Sequence, residues 1–300
     1  MTHTPVLLNE VLKYLDPKSG KFIIDGTVDG GGHTEAILDM MMPEGRYLAV
    51  DLDGDLLRNT ENRICSKYKI PNSKFKIFWQ NDSYSNISEI LKLKKLDKAD
   101  GLLIDLGFSS EQIENSSRGF SFQKNEFLDM RYRSDEGLSA FDVVNKYSET
   151  ELSDIFWKYG EERYSRKIAK SIVLERTKNI IKNTFDLNTA IKKGVPKQYE
   201  NGRIHFATRT YQALRIFVND ELNNLEKLLK NLNSILRQGG VVAIISFHSL
   251  EDRIVKNYFR DLKNEKKAEL LTKKPITATK EEIAKNPRSR SAKLRVLKIT

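Results

Sequence analysis

The sequence predicts an α/β fold: a parallel sheet covered by helices, with a helical domain inserted into it. Three observations carry this. From residue 21 to 107, short apolar runs alternate with segments of helical periodicity. From 108 to 205 no convincing strand occurs. The strand–helix rhythm then returns with "VVAIISFHS" and the closing "AKLRVLKIT". Such alternation implies parallel strands joined by right-handed crossovers. All strand C-termini then share one edge, where ligands bind in sheets of this kind.

Taken in order, "KFIID" (21–25) reads as a buried strand ended by a glycine loop, and Thr34 to Met41 as a helix. "RYLAVDLD" (46–53) is a second strand with Asp51 near its end, and "GDLLRNTENRICSKY" a helix. "KFKIFWQ" (74–80) is a third strand, followed by the helix "SYSNISEILKLKKL". "ADGLLIDLGFSS" (99–110) holds a fourth strand that ends at Asp105. Asp25, Asp51 and Asp105 therefore fall on the shared edge. In the insertion, Ser148 followed by Glu151 is a capping-box signature, and that helix stops at Gly160. Tyr164, Ile168, Ile172 and Val173 share one face of the next helix. Residues 186–193 form another, stopped by Gly194 and Pro196. Residues 208–237 read as one long helix before Gly239 and Gly240. "LEDRIVKNYFRDL" is a helix, and "KKLDK" and "KKAELLTKK" read as solvated faces.

The chain has 300 residues and a net charge of +10. From Lys256 to Thr300 there are 14 Lys or Arg against 5 Asp or Glu, so this tail holds +9 of that charge. A local basic patch points to nucleic acid, or to an anionic surface. No apolar run approaches the ~18 residues of a membrane span, and no secretory signal is visible. The single cysteine, Cys65, excludes an internal disulfide and a cysteine-based zinc cluster, and fits a reducing cytoplasm. A homodimer stays open.

The loop "DGTVDGGGHT" (25–34) opens the backbone for a ligand between a strand and a helix N-terminus. No G-x-x-x-x-G-K-[ST] phosphate loop occurs, and the spacing is not G-x-G-x-x-G. Asp25 and Asp29 would repel a pyrophosphate, but they suit a cationic or zwitterionic ligand such as S-adenosylmethionine. Asp51, 19 residues past Gly32, can accept both ribose hydroxyl protons. That serves NAD equally, so Asp51 alone does not choose. There is no Pro-Pro pair, so the D-P-P-Y type motif of many exocyclic-amine methylases is absent.

"HTPVLLNEVL", "DGTVDGGGHT", "DGLLIDLGFSSEQIE", "RGFSF", "LDMR", "YGEERYSRKIAKSI", "TRTYQALRIFVNDEL", "ISFHSLEDRIVK" and "NPRSRSAKLRV" run in order from His3 to Val296. Together they resemble the RsmH (MraW) family. The resemblance implies a class I S-adenosylmethionine-dependent methyltransferase (Rossmann-like) fold with an inserted helical domain. It implies methylation of the N4 amine of a cytidine in the decoding region of 16S ribosomal RNA, within the small ribosomal subunit. On this reading 1–107 and 206–300 form the methyltransferase domain with its basic C-terminal segment, and 108–205 the inserted substrate-recognition domain. Carried over position by position, the cofactor contacts fall on Gly31, Gly32, His33, Asp51, Tyr84, Asp105 and Gln112. The family has glycine where this chain has Asp29, and proline where it has Glu111. Tyr84 stands where phenylalanine is common. Aspartate tolerates positive φ, so the loop is expected to keep its shape while the pocket gains a charge.

A cytosine amine is a poor nucleophile, so the site needs close positioning and a proton acceptor. Asp105 is the first candidate acceptor, with a pure cofactor contact as its competing role. His248, at the end of the fifth strand, is the second. Ser246, Phe247 and Ser249 are placed to hold the cytosine ring. Phe108, Phe120 and Phe122 are candidates to stack on an unpaired base, with core packing as the competing role. Arg288, Arg290, Lys293 and Arg295 are the candidate phosphate contacts. The rival readings are an NAD-dependent oxidoreductase, a DNA amine methyltransferase, and a non-catalytic RNA-binding assembly factor that retains the fold.

Overall fold

Seven strands form one sheet in a computed structural model that describes residues 5–68, 74–107, 116–133, 136–200 and 204–300. In chain order they are β1 (Phe22–Asp25), β2 (Glu44–Asp51), β3 (Lys74–Asn81), β4 (Ala99–Asp105), β5 (Leu236–Ser246), β6 (Ala268–Leu270) and β7 (Lys293–Ile299). They lie side by side as β3-β2-β1-β4-β5-β7-β6. β1 to β5 pair in parallel, and β7 and β6 add an antiparallel edge. The strand order reverses between β1 and β4, which places Asp25 and Asp105 at the switch point where such sheets open a crevice.

The chain divides into two compact units, Met1–Ser109 with Leu222–Thr300, and Ser110–Glu221. The first unit holds the sheet and the helices α1 (Leu8–Leu15), α2 (Gly32–Met41), α3 (Gly54–Tyr68) and α4 (Ile87–Leu93). The second is helical: α5 (Ala140–Lys146), α6 (Glu149–Gly160), α7 (Ser165–Arg176), α8 (Thr184–Gly194), α9 (Lys197–Glu200) and α10 (Thr208–Val218). The chain then returns through α11 (Glu221–Lys230), α12 (Leu232–Ile235), α13 (Ser249–Asn264) and α14 (Lys280–Lys285).

Side chains alternate across a strand, so each central strand feeds two cores. Ile24, Leu48, Leu102 and Ile244 pack on one face with Ile87, Leu228 and Phe259. Ile23, Ala49, Leu103 and Ile245 pack on the other with Val11, Ile37 and Leu57. The helical unit has its own core of Ile155, Phe156, Ile168, Ile172, Leu187 and Leu214. The capping box at Ser148 and Glu151 is present as expected, and Asn183 with Asp186 makes another.

Three expectations are corrected. Residues 208–237 form three helices and the start of β5. The chain breaks at Asn219, whose side chain is tied to Met130 and Tyr132, and at Asp220, which takes φ 51. α10 belongs to the helical unit rather than to the sheet unit, because Ala207, Tyr211, Ala213 and Leu214 sit in the helical core. "AEL" within "KKAELLTKK" is β6, paired to β7, rather than a solvated face. Three residues between lysines carry too little pattern to read as a strand.

The antiparallel edge is pinned by charge. Asp252 on α13 accepts from Arg295 Nε at 2.7 Å and lies 3.2 Å from Lys293 Nζ. Burial pushes the Asp252 carboxyl up, but the two cations outweigh this and hold it below the usual carboxylate range. Arg295 is 9% exposed. Asp252→Ala leaves that guanidinium buried and unpaired, and should cost about 3 kcal/mol in a denaturant titration at pH 7. The lowered value means this stabilisation is present above pH ~4 and is lost as pH falls. A loss below about 0.5 kcal/mol would reduce the pair to an ordinary surface contact.

Candidate active site

The loop after β1 is shaped by one carboxylate. Asp25 is fully buried, and its Oδ2 accepts from Thr34 Oγ1 and from the Tyr47 hydroxyl, each at 2.9 Å. Its Oδ1 accepts from the Thr27 amide at 3.1 Å. Thr27 Oγ1 in turn accepts from the Asp105 amide at 2.7 Å. The Gly26 amide donates to Leu103 and the Val28 amide to Val50, so the loop is stitched to β4 and β2. A Cβ on Gly26 would collide with Ile104 Cδ1 and crowd Tyr84 Cβ at 3.1 Å. Gly31 takes φ 74 as the residue before α2, a conformation glycine adopts freely.

Asp51 ends β2. Its Oδ2 accepts from the Asp29 amide and its Oδ1 from the Asp53 amide, both at 2.8 Å. Each oxygen keeps a further lone pair. Burial raises its carboxyl to about 7; the two amides work against this, and the charges of Asp53 and Asp25 work with it. Asp105 ends β4 and is 6% exposed. Its Oδ2 lies 3.6 Å from His33 Nδ1, and its Oδ1 is buried with no hydrogen-bond partner among the described residues. Burial, then Asp25 and Glu251, push its carboxyl well above the ordinary range. His33 Nε2 lies 3.0 Å from the Val6 carbonyl oxygen, which only accepts, so that nitrogen carries a proton. Nδ1 is thereby turned toward Asp105. Gly32 and His33 open α2, and Tyr84 is half-buried beside Gly26.

His248 stands apart from these groups in role. Its Nδ1 accepts from the Glu251 amide at 3.4 Å, and Glu251 Oε2 accepts from the Phe247 and His248 amides. Nε2 lies 3.1 Å from Glu251 Oε1. The ring caps α13, so its lone pair is committed to a backbone N–H. Asp105 Oδ1 and His248 Nε2 are both buried without a hydrogen-bond partner among the described residues. With its lone pair used on the amide, the neutral ring can only donate at Nε2, whereas Oδ1 can accept. The capping role was missed because histidine is not a usual cap residue, although His-x-x-Glu has capping-box spacing. Ser246 is buried, with Oγ 3.4 Å from the Lys293 carbonyl oxygen. The Phe247 ring lies 3.2 Å from where a Cβ on Gly107 would stand, and Ser249 is exposed on the first turn of α13.

The basic tail is only partly a surface. Arg288 and Arg290 are exposed on the turn Pro287–Ser291. Lys293, partly exposed, and Arg295, buried, both pair with Asp252. In the helical unit, Phe120 is buried against Tyr132, and Phe122 stacks on His205 at 4.3 Å. Phe108, Glu111 and Gln112 lie outside the described residues.

These residues fit a cationic ligand. Asp25, Asp29, Asp51 and Asp105 crowd one edge, and the donor set adds an orphaned carboxylate oxygen. A positive group placed there relieves mutual repulsion and restores each carboxylate.

Asp29 takes φ 48, so the loop keeps its left-handed turn without glycine. Partial burial and then Asp51, Asp105, Asp25 and Asp53 push its carboxyl well above the ordinary range. A raised value means folding is favoured below pH ~4 and penalised as pH rises. Asp29→Gly should therefore stabilise the free protein by about 1 kcal/mol at neutral pH through relief of the left-handed backbone. The gain should be larger at pH 8 than at pH 5. Equal unfolding midpoints at both pH values would show that the Asp29 charge is already solvated.

The sequence profile of the MraW methylase family matches residues 1–300. A protein of Persephonella marina named Ribosomal RNA small subunit methyltransferase H is 44% identical, over 99% of this chain and 98% of its own. Proteins of the same name from Thermotoga neapolitana and Syntrophus aciditrophicus are 43% and 41% identical, each over 96% of their own length. Among solved structures, a candidate rRNA methylase from Clostridium thermocellum superposes with a TM-score of 0.50 at 10% identity, over 99% of this chain and 98% of that one, which speaks to the fold alone. With its glycine loop, its carboxylate edge and matches that span the whole length, the chain belongs to the MraW methylase family.

Proposed function

We propose that this protein transfers the methyl group of S-adenosylmethionine to the N4 amine of a cytidine in the decoding region of 16S ribosomal RNA, acting on the small ribosomal subunit in the cytoplasm. The observation that carries the reading is the crowd of buried carboxylates at the switch point, with Asp105 Oδ1 left open. The family is a methylase family, and relatives at 41–44% identity are named for ribosomal RNA of the small subunit. A dinucleotide's pyrophosphate meets the opposite electrostatics, which disfavours an NAD enzyme.

When bound, S-adenosylmethionine supplies an electrophilic methyl group on a positive sulfur. The backbone of Gly31 and Gly32 lets it approach, Asp51 takes the ribose hydroxyls, and Tyr84 gives an aromatic side to the pocket. Gln112 is carried over as a further contact. Asp105 Oδ1 accepts the proton that the N4 amine sheds as the nitrogen–carbon bond forms. Its raised proton affinity makes it a stronger base than an ordinary carboxylate. His33, anchored on Val6, sets its ring beside the other carboxyl oxygen, 3.6 Å away. Ser246, Phe247 and Ser249 border the same strand end and are our candidates for the cytosine ring.

Two measurements test the reading. Labelled methyl groups should pass to 16S RNA in small subunits from cells that lack the protein, and Asp105→Asn should lower kcat about 100-fold or more while the cofactor Kd stays within a fewfold. Loss of cofactor binding with kcat kept at saturation would make Asp105 a binding residue only. No transfer by the unaltered protein would leave an RNA-binding factor. Cofactor binding should also release protons at pH 7, where Asp51 with its carboxyl at about 7 is partly protonated, and fewer at pH 9. Calorimetry in two buffers of different ionisation enthalpy reads this directly, and equal heats at pH 7 would rule out the linkage.

A further inference from the structure

The helical unit carries a line of cations that the mechanism does not use. Arg163, Arg166, Lys167 and Lys170 follow at helical spacing along one side of α7 and the turn that leads into it. All four are exposed, and none forms an ion pair with a carboxylate among the described residues. Elsewhere in this unit several cations are neutralised: Lys178 and Lys193 share Glu175, Lys146 meets Asp142, and the half-buried Arg131 meets Asp129. Lys158, Lys182 and Lys197 are exposed too, but they are scattered rather than aligned. Like charges at i,i+3 and i,i+4 destabilise a helix by about 0.2–0.5 kcal/mol per pair. Here the offset comes from aromatic rings rather than acids, since Arg163 and Lys167 both lie over Tyr164.

One end of the line is also preset. The Arg163 guanidinium lies over the Tyr164 ring at 4.8 Å and the Tyr199 ring at 5.1 Å. The two rings meet edge to face at 5.0 Å. Glu162, fully buried, locks them: it accepts from the Tyr199 hydroxyl at 2.7 Å and from the Tyr164 amide at 2.8 Å. A stacked guanidinium keeps its N–H edge free for bidentate contact with a phosphate. From 163 to 170 is two turns, about 10.5 Å, long enough to follow a strand past successive phosphates. By contrast, the C-terminal patch has lost Lys293 and Arg295 to Asp252.

We propose that the Arg163–Lys170 line docks a phosphodiester strand of the ribosomal RNA, with Arg163 held ready by the two tyrosine rings. This rests on RNA being the substrate. Phosphate contacts of this kind position the RNA and carry no sequence information.

The experiment titrates salt. Affinity for small-subunit RNA is measured between 50 and 200 mM salt for the unaltered protein and three variants. The first is the triple variant Arg166→Gln, Lys167→Gln, Lys170→Gln. The second is the charge-conserving triple Arg166→Lys, Lys167→Arg, Lys170→Arg. The third is the tail double Arg288→Gln, Arg290→Gln. Each phosphate contact contributes about 0.7–0.9 to the slope of log K against log salt. The neutral triple should flatten the slope by about 2, and the charge-conserving triple should keep it. Melting temperatures report whether each variant keeps its fold. An unchanged slope in the neutral triple overturns the proposal, as does a loss confined to the tail double. A line that instead binds anionic vesicles or an acidic protein, with RNA affinity unaltered, also overturns it. If the unaltered protein binds no RNA, the functional reading fails first, and that failure is visible without any variant.

Discussion

Everything at the ligand edge depends on the buried carboxylate of Asp25. It gathers a threonine from α2, a tyrosine from β2 and an amide from its own loop. Three donors on one buried anion fix where the loop leaves β1. That places Thr27 to accept the Asp105 amide and the Asp29 amide to reach Asp51. The loop is thus a web of main chain and short side chains with few rotamers to freeze, and it ties three parallel strands at their C-terminal ends. Without Asp25, Tyr47 and Thr34 would be left with buried hydroxyls and no acceptor.

The same web brings carboxylates too close for comfort. Burial raises the proton affinity of Asp25, Asp29, Asp51 and Asp105, and the charge of Asp25 adds to it at the other three. This is a local instability that the sheet's two apolar cores must carry. It is also what makes the edge a receptor for positive charge, because a ligand cation relieves it. Repulsion and recognition are one property here. Asp29 sharpens it: the family's glycine would fill the left-handed turn with no charge, whereas aspartate fills it and adds one.

Much of this was legible in the sequence, for physical reasons. Buried parallel strands such as "LLID" are short apolar runs, and their terminal aspartates mark the edge. The Ser148–Glu151 box is a local signal for a local structure. What escaped was decided at a distance. The break at Asn219 depends on Met130 and Tyr132, some 90 positions earlier in the chain. β6 exists because β7 offers it an edge, not because three residues prefer to be extended. His248 read as the second candidate proton acceptor, and only Glu251's amide and carboxylate reveal that it also caps a helix.

Charge is the hardest quantity to read along a chain. The tail holds most of the net positive charge, yet a strand places alternate residues on opposite faces, and β7 turned two of its cations onto Asp252. α7 and its lead-in turn have fewer cations within a more balanced segment, and the helix lines them on one side with no acid opposite. Density in sequence therefore misplaces a binding surface whenever secondary structure sorts the charges differently. What matters for an RNA strand is the count of cations that remain unpaired on one face after folding. By that measure the helical unit offers a phosphate track that charge density along the sequence does not point to.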